Sequence, residues 1–223
     1  MSITEKSLTA AIWRCALVVI LAIAFGYIEA AVVVYLRQIF HPAGFRFPLV
    51  SFPLTAESRS MVLVEVGREV ATIVLIFCAA YLSGHNRRQR LAYFLTIFAV
   101  WDIFYYVWLW IILGWPSSIM DWDVLFLIPL PWAGPVLAPV LVSLIMLILA
   151  DMIIYRDVAG RPIRFSFGDS IGYSVSGFVI ITSFCLAGKY MQSVDYASHF
   201  SWTVFSAGML AACVVSMKCV CKK

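Results

Sequence analysis

Long apolar runs alternate with short polar or proline-rich segments along the whole chain. Six runs are long enough to matter: about 11–36, 61–82, 91–113, 134–155, 171–189 and 202–218. The hydrocarbon core of a bilayer takes about 20 mostly apolar residues in helical form, so each run predicts a transmembrane helix. The expected fold is all-α: a polytopic membrane protein with a six-helix transmembrane bundle, one domain over residues 1–223. The connection before the fourth helix, GWPSSIMDWDVLFLIPLPWAGP, has no Lys or Arg and carries Pro129, Pro131 and Pro135. Proline removes backbone donors, and non-helical backbone at membrane depth survives only against protein or water. Residues 124–133 therefore predict a short re-entrant or interfacial element.

Composition agrees. The chain is 63% hydrophobic and 13% charged, with a mean hydropathy of +0.96. A soluble domain is about half apolar and a quarter charged, so this chain has too little polar surface to coat a globule. Its expected surroundings are a lipid bilayer, and the net charge of +4 is no sign of a nucleic-acid partner.

Where the Lys and Arg fall sets the expected orientation. The N-terminus carries Lys6 and Arg14; Arg87, Arg88 and Arg90 lie in the second connection; Arg156, Arg161 and Arg164 lie in the fourth; Lys218, Lys222 and Lys223 end the chain. The opposite connections hold only Arg37, Arg46, Arg59 and Lys189. The bias predicts both termini in the cytoplasm, in a bacterial cytoplasmic membrane, which an even number of spans requires. The first run is too long for the roughly 7–15-residue core of a signal peptide and reads as a retained span. The aromatic, proline-rich stretch HPAGFRFPLVSFPL then reads as a cover lying on the bundle.

The six cysteines show no secreted disulfide pattern. Cys219 and Cys221, in the tail, read as free thiols, with palmitoylation as the alternative.

Candidate chemistry comes from ionisable residues inside apolar runs, which are costly there and need partners. The stretch VLVEVGREVAT places Glu65, Arg68, Glu69 and Thr72 on one helix face. Glu29 lies near a stripe of small residues, Ala22, Gly26 and Ala30, and Asp102 lies near the middle of the third run. Tyr105 and Tyr106 follow Asp102, and a phenol can donate to a nearby carboxylate. Asp121 and Asp123 add acid at the mouth of the bundle. The expectation is that Glu29, Arg68, Glu69 and Asp102 converge. Several carboxylates cannot all stay ionised beside one guanidinium at low dielectric, so either some hold protons or a cation joins them. The binding or proton-relay candidates are thus Glu29, Glu65, Arg68, Glu69, Asp102, Tyr105, Tyr106, Asp121 and Asp123. If a metal binds, the oxygen-rich set Glu29, Glu69 and Asp102 suits a hard cation. His41, His85 and His199 all fall in connections, and no motif points to a particular cofactor.

The function expected first is a structural or accessory subunit of a membrane complex. The acid–Arg cluster would lock its helices, with other membrane subunits docking through spans 3 and 5. Two alternatives stand beside it: a proton- or cation-coupled transporter, and an intramembrane enzyme acting on a lipid-like substrate.

Overall fold

The computed structural model describes residues 5–42, 44–49 and 56–221. Among them are six α-helices: α1 (Glu5–Phe40), α2 (Ala56–Ser83), α3 (Arg87–Leu113), α4 (Leu137–Val158), α5 (Phe167–Gly188) and α6 (Trp202–Cys221). Strands β1 (Trp122–Phe126) and β2 (Trp132–Pro135) pair antiparallel between α3 and α4. The fold is nearly all-α. Five helices are long and apolar enough to cross a membrane: α1, α3, α4, α5 and α6. They carry large apolar side chains outward, among them Leu17, Ile148, Phe178 and Leu210. A helix that is apolar all round belongs in a bilayer, and the chain is an integral membrane protein. The exception is α2, interrupted by Glu65, Arg68 and Glu69.

Local chemistry sets several helix ends. Asn86 caps α3 by accepting from the Gln89 amide at 3.0 Å. Gly114 ends it in the left-handed region at φ 65°. Ser166 and Asp169 form a reciprocal capping box at the start of α5.

The bundle is organised around α3, which packs against α1, α2 and α4. Its crossing with α1 depends on the small-residue stripe. Ala22 and Ala30 are fully buried, and a Cβ on Gly26 would lie 3.0 Å from the Trp101 carbonyl oxygen. A second close crossing joins α5 to α6, where a Cβ on Gly208 would meet the Ser176 carbonyl oxygen at 3.1 Å. Part of the faces expected to dock other subunits on spans 3 and 5 packs inside the bundle, while Trp110, Ile111, Val175 and Phe178 stay exposed. The aromatic face of α3 meets α1, α2 and α4, and the small-residue face of α5 meets α6.

The third connection brings one correction in detail. Over 124–133 the chain forms a hairpin with a bulge between Val124 and Phe126. Pro129 and Pro131 fall in its turn, where missing amide donors cost nothing. The hairpin is held against α5, where Gly188 lies so close to the Pro131 carbonyl that no side chain fits. Residues 44–49 also lie at this end, tied by the Leu49 amide to the Met191 carbonyl at 2.8 Å. Phe52 and Pro53 of the expected cover lie outside the described residues.

The opposite end of the bundle is bolted by Asp157. It accepts from Asn86 Nδ2 at 3.1 Å, Arg88 Nε at 3.1 Å and Gln89 Nε2 at 2.7 Å, joining the start of α3 to the end of α4. Arg156 donates to the Arg161 and Val220 carbonyls and so ties the end of α4 to the end of α6. In the tail, Cys219 is fully buried and only Cys221 is exposed.

Gly26→Val should cost about 1–3 kcal/mol, because the added bulk meets helix backbone that cannot yield. Gly67→Ala should be neutral or stabilising by up to about 1 kcal/mol, since a Cβ there meets nothing within 4 Å. Thermal unfolding of both variants in one detergent measures the difference.

Candidate functional site

A cavity of about 640 Å³ lies in the half of the bundle nearer the hairpin. That is within the size range of small-molecule pockets. Its walls come from α1 to α5, the hairpin and residues 45 and 49. Most of the wall is apolar or aromatic, including Phe94, Phe98, Trp101, Phe126 and Trp132. Set into it are five carboxylates, Glu29, Glu65, Glu69, Asp102 and Asp123, and two guanidinium groups, Arg37 and Arg68.

The polar groups form four separate sets. In the first, Arg68 on α2 forks between Glu29 on α1 and Glu65 one turn away on its own helix. Its Nε donates to Glu65 Oε2 at 2.9 Å. Thr72 donates to the other oxygen of Glu29 at 3.4 Å. In the second, the Leu127 amide in the hairpin turn donates to both oxygens of Glu69, at 2.9 and 3.0 Å. This satisfies a backbone donor where the bulged hairpin offers it no strand partner. In the third, Ser143 on α4 donates to Asp102 on α3 at 2.8 Å.

A further ion pair closes the hairpin end of the cavity. Arg37, in the last turn of α1, donates to Asp123 Oδ1 at 3.1 Å, and the Tyr105 hydroxyl donates to Oδ2 at 3.1 Å. The guanidinium lies 4.0 Å from the Phe45 ring centre and 3.7 Å from that of Trp115. The side chains of the pair are only 8% and 3% exposed. His41 also lines the cavity here. Burial, and secondarily Arg37 beside it, hold its imidazole below the ordinary histidine range.

Eight of the nine sequence candidates thus line one cavity: Glu29, Glu65, Arg68, Glu69, Asp102, Tyr105, Tyr106 and Asp123. Asp121 does not. It accepts from the Ser117 amide and hydroxyl and the Ser118 amide, and so shapes the turn before β1. The expected convergence on Arg68 is partial: Glu29 and Glu65 reach it, while Glu69 and Asp102 have partners of their own. The hard-cation set Glu29, Glu69 and Asp102 is likewise divided. Among the described residues, no group of three or more His, Cys, Asp or Glu could hold a metal ion.

Two contributors escaped the sequence reading. Arg37 counted there as a loop charge, and only Asp123, across 86 positions of chain, shows it to be buried. Ser143 gave no signal in an apolar run. The tryptophans also divide. Trp110 is exposed, as a membrane-interface residue would be, while Trp108 donates to the Ile23 carbonyl at 3.0 Å and Trp115 stacks on Arg37.

No protein-family model matches this chain, and neither does any curated protein or solved structure.

The two ion pairs should differ in their cost of disruption. Arg37→Ala strands a nearly inaccessible carboxylate and should cost about 3–5 kcal/mol. Arg68→Ala should cost less, because the Arg68 side chain is 21% exposed and its acids can rehydrate. Thermal unfolding in detergent should rank Arg37→Ala below Arg68→Ala.

Proposed function

We propose that this chain is a multi-pass protein of the bacterial cytoplasmic membrane whose central cavity takes up an amphipathic, lipid-like molecule. The observation that carries this reading is the cavity itself: ligand-sized and mainly apolar, with several charged and hydroxyl groups set into its wall. A protein whose acids served only to lock helices would gain nothing from leaving about 640 Å³ unfilled beside them, since interiors close-pack. This favours a protein that binds or turns over a lipid-like substrate above an accessory subunit.

The transporter alternative is less favoured. A transporter needs a polar path to both faces. Beyond the cavity, toward the Asp157 end, α1, α2 and α3 close on one another through Val18, Ile76, Ala80, Tyr93 and Ile97, all buried and none charged.

We take α2 as a sixth span. Leu63, Val64, Val74, Phe77 and Leu82 point outward from it and are more than half exposed, while Glu65, Arg68 and Glu69 line the cavity. An apolar outer face with a charged inner face is what a bundle helix beside a polar site requires. With six spans, the Lys and Arg distribution supports an orientation with both termini in the cytoplasm and the hairpin on the far side, as an element dipping toward the bilayer.

Gly177 offers a clean test. It lines the cavity, and a Cβ there meets nothing within 4 Å. Gly177→Phe should fold normally yet occupy the space, so amphiphiles that co-purify with the wild type and appear in its native mass spectrum should be absent from the variant. Identical bound masses in both proteins, or none in the wild type, would remove the reading. Labelling of single cysteines placed at positions 85 and 117 should give opposite accessibility in intact cells, position 117 being reached from outside.

A further inference from the structure

We propose that the molecule the cavity accepts is a lipophilic cation, an apolar body bearing an amine or other positive centre. The inference rests on the cavity reading above and names the charge of its ligand. Around the cavity, five carboxylates face two guanidinium groups. Arg37 answers Asp123, and Arg68 is shared by Glu29 and Glu65. Glu69 and Asp102 have only neutral donors, a backbone amide and a serine hydroxyl. The wall therefore holds more carboxylates than guanidinium groups, and the two carboxylates without an ion-pair partner lie on neighbouring helices, α2 and α3.

A second observation points the same way. Tyr106, one helical turn beyond Asp102, is 5% exposed and lines the cavity, yet its hydroxyl has no hydrogen-bond partner among the described residues. A phenol oxygen beside a carboxylate can accept from an ammonium group. An anionic ligand would instead meet Asp102 at that place. The aromatic wall fits as well. Phe98, Trp101, Phe126 and Trp132 form a continuous run of ring contacts with centroids 5.4 to 6.3 Å apart. Ring faces attract cations most strongly where water is excluded. The protein already uses this interaction at Arg37, over Phe45 and Trp115.

The test compares tetraphenylphosphonium with tetraphenylborate, ions of nearly equal size and opposite charge, on the purified full chain in neutral detergent. Melting curves and equilibrium dialysis give the readout. The phosphonium should bind and raise the melting temperature, and the borate should not. Asp102→Asn, which keeps the shape and the serine contact, should weaken phosphonium binding roughly tenfold, the loss of one charged partner. Glu69→Gln should act similarly, and Gly177→Phe should abolish binding. Equal binding of both ions, or phosphonium binding unchanged in both carboxylate variants, overturns the cation assignment and leaves the cavity reading standing. Binding that survives Gly177→Phe undiminished shows that the probes sit elsewhere and overturns it too. If neither ion binds and no amphiphile co-purifies, both readings fall.

Discussion

A charge removed from water must find a partner, and this bundle is arranged around that requirement. Arg68 is the clearest case. It reaches from α2 to α1, and the two helices make little other direct contact there. Were its place taken by an apolar residue, Glu29 and Glu65 would lose the cation they share and recover only part of their hydration. The same constraint recurs at Arg37 with Asp123, at Glu69 with the Leu127 amide and at Asp102 with Ser143. Each pairing draws together elements distant in sequence, so polar groups fix how α1, α2, α4 and the hairpin stand around α3. Apolar packing alone would leave their relative heights loosely determined, because lipid tails solvate leucine as well as a neighbouring helix does.

The membrane character, the helices and most of the charged groups in the cavity wall were legible in the sequence, for a physical reason. Ionisable residues in apolar runs are rare because they are expensive, so Glu29, Arg68, Glu69 and Asp102 stood out without knowledge of their partners. The small residues at 22, 26 and 30 likewise announced a close crossing, although not that Trp101 would be the residue crossed. What could not be read was partnership. Arg37 looked like one of several loop cations, and its burial depends on Asp123, Phe45 and Trp115 arriving from three different segments. The hairpin was obscured by its prolines, which argue against helix but say nothing of strands meeting across them.

The tryptophans teach a related lesson. Enrichment near a helix end is ordinary at a membrane interface, and Trp110 conforms. Trp108 and Trp115 have the same position in the pattern and different work: one crosslinks α3 to the α1 backbone, the other is a platform for a guanidinium. Composition cannot separate these roles, since the indole suits all three.

The two halves of α2 are attached by different forces. Toward Ser83 it lies on α3 through Ile76 and Ala80, which are almost wholly buried among aliphatic and aromatic side chains. Toward Ala56 its ties at Glu65, Arg68, Glu69 and Thr72 are all electrostatic or hydrogen-bonded. The helix is thus a lever pinned at one end by excluded volume and latched at the other by charge. A competing charge inside the cavity acts on the latch, whereas substitutions at Ile76 or Ala80 act on the pivot. A molecule arriving with its own charge would work the latch without loosening the bundle.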